Sequence, residues 1–160
     1  MADAKPVAIL AMDVTARTGT IYPPEFAGEM KGREKRALGD AFGLSQFGVN
    51  LTVLKPGAWS SHRHWHAVED EFIYVISGEI TLVDDAGEHL LTPGMCAGFK
   101  AGVPNGHCLK NLSSQDATYL EVGTRSMVEK SNYPDIDMAG EKTEASGGKF
   151  VLTRKDGTPF

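Results

Sequence analysis

Between residues 46 and 122 the chain consists of short apolar or alternating runs, each closed by a turn sequence, and no stretch carries a helical period. Phe47, Val49, Leu51 and Val53 project to one side of an extended segment, while Gln46, Gly48, Asn50 and Thr52 project to the other. Residues 72–77 form a nearly continuous apolar run and 80–83 another, and Asp84-Asp85-Ala86-Gly87 makes a hairpin turn into His89-Leu90-Leu91. Thr92-Pro93-Gly94 makes the next turn. Strands are then expected at 95–99, 107–112 and 118–122, separated by Pro104-Asn105-Gly106 and by Ser113-Ser114-Gln115-Asp116. Short strands at this regular spacing predict an all-β fold, a double-sheet antiparallel jelly roll whose closure removes exposed sheet edges.

The flanks are less regular. Pro23-Pro24 breaks structure, and Gly28, Gly32 and Gly39 punctuate the stretch after it, so residues 1–45 read as an N-terminal arm with one short strand. After Gly123 a polar C-terminal extension, 124–160, packs on the barrel of residues 46–123. Within it, residues 132–137 read as a packed loop, Gly147-Gly148 as a hinge and residues 149–152 as one more strand. There are no internal repeats, which predicts one barrel. A chain of 160 residues with 41% hydrophobic content can bury a core without disulfides or a structural metal.

A net charge of −5 argues against a nucleic-acid partner, and the mixed run of residues 31–36 reads as a solvated segment, with an anion-binding role as the lesser alternative. The apolar run at 7–12 stops at Asp13, too short for a signal peptide, and no later stretch approaches a membrane span, so a cytoplasmic location is expected. Cys96 and Cys108 lack metal-ligand spacing and read as small strand residues. His89, in a polar turn, reads as a hydrogen-bonded surface residue.

The other feature that carries chemistry is the segment His62-Arg63-His64-Trp65-His66, followed by Glu69-Asp70-Glu71. Alternate residues on a strand share a face, so the three imidazoles and a carboxylate aim into one space. That donor set suits one divalent transition metal ion, Fe, Mn, Ni, Zn or Cu.

Pro56-Gly57, His64-x-His66, then Glu71 after four intervening residues and Gly78 after six more resemble the first conserved motif of the cupins, with six residues instead of five between Gly57 and His64. The resemblance implies that His64, His66 and Glu71 are metal ligands and that Gly78 turns the chain between two barrel strands. The second cupin motif corresponds to residues 94–111. Asn105 stands where the family has its histidine and Lys100 where it has proline, but His107 with Asn111 reproduces the His-x3-Asn ending, making His107 the fourth ligand. Asn105 is then an amide oriented toward the site or a weak oxygen ligand. The resemblance covers residues 46 to 123 and implies a cupin-type double-stranded β-helix. Together with Ala101-Gly102-Val103-Pro104 and the closing Lys155-Asp156-Gly157-Thr158-Pro159, it extends to a bacterial group of small cupins labelled sugar-phosphate (mannose-6-phosphate) isomerases.

A barrel and a metal do not choose a reaction. The leading expectation is a metal-dependent enzyme acting on a small polar metabolite. Polarisation of a carbonyl by the ion would ease removal of the neighbouring proton, as in an aldose-ketose isomerase. His62, Glu69, Tyr74 and Glu121 are the candidate bases, and Arg63 and Lys100 the nearest cations for a phosphate end. The alternatives are an Fe(II)-dependent dioxygenase and a non-catalytic sugar-binding module. Tyr22, Phe26, Phe42 and Phe47 read as core residues or as one face of a homodimer.

Overall fold

The computed structural model describes residues 5–160; residues 1–4, the start of the expected arm, lie outside the described residues. Among the described residues three antiparallel sheets form. The largest has the order β1-β2-β9-β4-β7, built from β1 (Arg33–Ala37), β2 (Phe47–Leu54), β9 (Ala117–Thr124), β4 (Glu71–Ser77) and β7 (Cys96–Phe99). A three-stranded sheet has the order β6-β5-β8, from β6 (Gly87–Leu91), β5 (Ile80–Asp84) and β8 (Cys108–Lys110). The third runs β12-β11-β10-β3, from β12 (Val151–Thr153), β11 (Ala139–Lys142), β10 (Glu129–Asn132) and β3 (Trp65–His66). The arrangement is the expected all-β jelly roll. Among the described residues no helix is long and apolar enough to cross a membrane.

Gly78 makes the step from β4 in one sheet to β5 in another. Its φ of 74° is open to glycine at little cost, and a Cβ there would lie 2.4 Å from the Asp116 carbonyl oxygen. The turn therefore needs glycine for both backbone shape and space.

The inward face of the large sheet follows from its registers. Leu54 pairs with Ala117, Thr52 with Tyr119 and Asn50 with Glu121, while Val75 and Ile73 of β4 lie opposite Tyr119 and Glu121. Leu54, Ile73, Val75, Ala117 and Tyr119 join Ile80, Leu82, Leu91 and Leu109 in one core cluster. The side of β2 that faces the interior is thus Gly48, Asn50, Thr52 and Leu54. The apolar side, Phe47, Val49, Leu51 and Val53, lies on the outer face, in line with Phe72, Tyr74 and Ile76 of β4, which are 43–46% exposed.

Several expectations need correction. The charged run at 31–36 is not a solvated segment: it enters β1, which pairs with β2 through Arg33↔Leu54 and Lys35↔Thr52 and so turns Arg33 and Lys35 inward. A one-turn helix, α1 (Leu38–Phe42), follows, too short to register as a period. The C-terminal extension contains β10 and β11 as well as β12, and β10 pairs with β3. The expected hinge at Gly147-Gly148 is a closed turn, its N–H groups bonded to the carbonyls of Glu144 and Thr143.

Candidate metal centre

His64 and His107 lie directly opposite one another. The His64 N–H donates to the His107 carbonyl at 3.1 Å and the His107 N–H to the His64 carbonyl at 2.9 Å, so both side chains emerge on the same face. His66 enters from β3 and Glu71 from the first residue of β4. Gly106, just before His107, is packed against Pro134, whose Cγ would lie 2.9 Å from an added Cβ, so the approach of these two segments requires a residue without a side chain.

His64, His66 and Glu71 converge, and His107 is joined to them through Glu71. His64 Nε2 is 3.1 Å from His66 Nε2, His66 Nε2 is 3.9 Å from Glu71 Oε2, and His107 Nε2 is 2.9 Å from the same Oε2. Ligand atoms of His64, His66 and Glu71 all lie within 4.8 Å of one another. The Phe99 ring stacks on His107 at 3.5 Å between centroids, 4° from parallel, and Tyr133 stacks on His64 at 5.5 Å. Flat rings packed face to face fix the imidazole planes.

The partners around the rings bear on their tautomers. His64 Nδ1 donates to the His62 carbonyl at 3.0 Å, leaving the lone pair on Nε2. His66 Nδ1 faces Ser131 Oγ at 3.3 Å and Glu129 Oε1 at 3.8 Å; the carboxylate can only accept, which favours a proton on Nδ1 and a lone pair on Nε2. The two Nε2 atoms approach to 3.1 Å, a separation that either a cation or a shared proton between them accounts for. Burial, reinforced by the neighbouring imidazoles, lowers the His64 pKa to about 3, so this ring resists taking the proton. Burial alone would raise the Glu71 pKa, but the His107 hydrogen bond and the imidazoles around it prevail and bring it down to about 2. A neutral His64 imidazole and an ionised Glu71 carboxylate are the forms a divalent transition metal requires of its ligands. The residues present fit such an ion.

Glu129, which the sequence reading passed over, holds the frame. Its carboxylate is buried and accepts the backbone N–H groups of Ala67 at 2.8 Å, Val68 at 3.1 Å, Glu69 at 2.7 Å and Lys130 at 2.8 Å. This fixes the loop between His66 and Glu71. His66, Glu69 and Glu129 also lie close enough together to group around an ion, but Glu69 Oε1 is taken by the Ser126 N–H and Lys142 Nζ, each at 2.7 Å. The signal for Glu129 and Ser131 was a period-2 alternation in a polar segment, buried at 129 and 131 and exposed at 130.

The remaining candidates separate. The His62 ring does not join the cluster: its Nε2 meets the Phe26 carbonyl at 2.8 Å, and it packs against Tyr22, Phe26 and Trp59. The segment before β3 is bent, so strict alternation does not reach back to 62. Tyr74 alternates with Ile73 and Val75 and points out of the barrel, 43% exposed. Asn105 lies in a loop outside any strand; its Oδ1 accepts the Asp85 N–H at 2.9 Å and its Nδ2 donates to Asp84 at 3.2 Å. Arg63 forms a two-point pair with Asp135 at 2.9 Å and a bond to Asp85 at 2.6 Å. Lys100 is exposed beside a smaller cavity of about 200 Å³.

Of the candidate bases only Glu121 lines the main cavity, where its Oε1 accepts from Lys35 Nζ at 2.8 Å and Asn50 Nδ2 at 3.0 Å. This cavity, about 570 Å³, has His64, His66 and Glu71 on one wall and Arg17, Arg33 and Lys35 on another. Its volume matches a small metabolite.

Residues 50–123 match the Cupin domain family model. A cupin-superfamily sugar phosphate isomerase from Silicibacter pomeroyi is 47% identical, with 96% of each chain covered and a TM-score of 0.90. A candidate sugar phosphate isomerase from Acidithiobacillus ferrooxidans is 27% identical over 80% of each chain, with a TM-score of 0.71. The polyketide cyclase RemF from Streptomyces resistomycificus is 25% identical, covering 73% of this chain and 78% of its own, with a TM-score of 0.60. No curated protein matches. With residues 50–123 fitting the domain model and nearly the whole length shared with the Silicibacter pomeroyi protein, the chain belongs to the cupin superfamily.

Proposed function

We propose that the protein binds one divalent transition metal ion through His64, His66, Glu71 and His107 and acts in the adjoining cavity as a sugar-phosphate-isomerase-like enzyme. The observation that carries this reading is the approach of the His64 and His66 Nε2 atoms to 3.1 Å beside the ionised Glu71 on the wall of a metabolite-sized cavity. The likeness to the Silicibacter pomeroyi sugar phosphate isomerase supports the substrate class. A bound ion supplies Lewis-acid polarisation of a substrate carbonyl. Glu121 is then the base, a carboxylate in the same cavity oriented by Lys35 and Asn50. Tyr133, stacked on His64, and Tyr22 beside it bring aromatic surface to the cavity and limit solvent there.

The test is elemental analysis of protein loaded in its own host, followed by a sugar-phosphate screen under argon. Turnover without oxygen, lost in Glu121→Gln with metal retained, supports the isomerase. Oxygen uptake with an organic substrate would replace it with dioxygenase chemistry, and saturable sugar binding without turnover would leave a binding module.

The same reading includes a homodimer. Phe72, Tyr74 and Ile76 expose a row of large apolar side chains on one sheet face, the kind of surface a second copy covers. Light scattering that gives a monomer mass at tens of micromolar would refute it.

A further inference from the structure

The cavity that holds the histidines is also lined by Arg17, Arg33 and Lys35, of which only Lys35 enters the proposed reaction, through Glu121. Arg33 and Lys35 are inward residues of β1, and Arg17 joins them through a backbone bridge to Lys35, with N–H to carbonyl bonds of 2.8 and 2.9 Å. All three line the cavity. Lys35 is paired with Glu121, and Arg17 reaches Asp40 at 3.2 Å from a largely solvated position. Arg33 differs from both. Among the described residues its guanidinium has no carboxylate partner: it donates to the carbonyls of Ser60 and Gly19 and to the Met30 sulfur, and its Nε is buried without an acceptor. A partly buried cation without a counter-ion costs stability, and an anion bound beside it offsets that cost. Thr18 and Ser61 also line the cavity and bring hydroxyl groups to it.

Arg63 and Lys100, the cations favoured from sequence, do not supply this environment. Arg63 is saturated by two aspartates, and neither residue lines the main cavity. We infer that Arg17, Arg33 and Lys35 form a subsite for an oxyanion, a phosphate monoester or a carboxylate, on a ligand whose other end faces His64, His66 and Glu71. The inference rests on reading the main cavity as the ligand site, but it does not depend on the metal or on turnover. A planar guanidinium with two ammonium or guanidinium neighbours is suited to a tetrahedral dianion more than to a single carboxylate.

The experiment is calorimetric titration of inorganic phosphate, and separately of acetate, into the chelator-treated full chain at about pH 8, where free imidazoles are neutral. The expected result is saturable one-to-one phosphate binding. Arg17→Ala and the charge-balanced double variant Lys35→Met/Glu121→Gln should each weaken it, the latter about tenfold or more, as loss of a charge-assisted hydrogen bond does. Lys100→Met should leave it unchanged. Arg33→Met removes the central cation but also frees the Gly19 and Ser60 carbonyls; the other two variants keep the test decisive if it folds poorly. Acetate binding that falls in the same variants would also support the subsite and extend it to carboxylates. No saturable binding of either anion, or phosphate binding that survives Lys35→Met/Glu121→Gln and Arg17→Ala but falls with Lys100→Met, would overturn the inference. Because the protein titrated is metal-free, an empty or absent metal centre would sink the proposed reaction while leaving this result standing.

Discussion

The same strands are apolar at one end of the barrel and polar at the other. Along the inward face of β4 the chain reads Val75, Ile73, Glu71; along β9, Ala117, Tyr119, Glu121; along β2, Leu54, Thr52, Asn50. The first residues of each series belong to the core cluster; of the last, Glu71 and Glu121 line the cavity and Asn50 donates to Glu121. Stability and chemistry are thus divided along each strand and not between separate layers. Side chains at one end can change without passing the effect to the other, provided the backbone registers hold.

The sharpest test of that division is the double variant His64→Ala/His66→Ala. It should lose stoichiometric metal completely, by elemental analysis, while the metal-free protein keeps the thermal midpoint of the metal-free parent, since neither side chain belongs to the core cluster. Full metal occupancy in the double variant would place the ion elsewhere.

At the other end, Ile73→Ala should lower unfolding free energy by about 2–5 kcal/mol, the range for truncating a buried aliphatic side chain. Ile73 is 1% exposed and lies one pleat from Glu71. Metal stoichiometry in the folded fraction should stay at that of the parent. A variant that folds normally but binds metal weakly would show the two ends to be coupled.

Acid should weaken the metal-free protein from the polar end. The His64 pKa falls from 6.5 to about 3 on folding, so between those values the unfolded chain binds a proton that the folded chain refuses. Stability therefore drops as pH falls from 6.5 toward 3. Below 4.5 Glu71 adds to the loss, because its folded pKa is depressed to about 2 and the unfolded chain again takes up the proton first. Denaturant midpoints measured from pH 7 to pH 4.5 should fall in the parent and flatten in His64→Gln; equal slopes in the two would refute the assignment.

Glu129 connects the two kinds of region, because a buried carboxylate there shapes the loop that carries His66 and Glu71. Glu129→Gln keeps the volume but replaces one acceptor oxygen with a donor facing backbone N–H groups. It should weaken metal binding by about 10- to 100-fold, as loss of a partner that orients ligands does. An unchanged affinity in competition with a chelator dye would reduce Glu129 to a loop fastener.

The division also explains what was legible in the sequence. The barrel strands announced themselves because their apolar runs and Gly/Pro/Asp turns are local. His64, His66 and Glu71 were readable from close spacing. β1 was not, because its alternation is of charges: Arg33, Lys35 and Ala37 face in while Glu34 and Arg36 face out, a pattern that reads as solvent until the pairing with β2 is known. For β10 and β11 the difficulty was similar, with Glu129 and Ser131 buried for their hydrogen bonds and not for hydrophobicity. His62 misled because the backbone bends before β3, a change of direction no periodicity announces.

The smallest expected effect concerns Asn105, at the position where a cupin histidine stands. Two residues along a straight strand would return Asn105 to the face of His107, but residues 103–106 are a loop in which the Asn105 N–H bonds to the Val103 carbonyl at 2.8 Å. The side chain is spent on the β5–β6 turn, accepting the Asp85 N–H and donating to the Asp84 carboxylate. Asn105→Ala should therefore cost about 1 kcal/mol of stability, the net value of a typical hydrogen bond, and leave metal affinity at the parental level. His107→Ala should do the reverse, because its Nε2 is 2.9 Å from Glu71 and its ring is fixed by Phe99. Chelator competition on the two variants, with denaturant melts alongside, separates the roles. A marked fall in metal affinity for Asn105→Ala, with none for His107→Ala, would return the fourth ligand to the position the family motif assigns it.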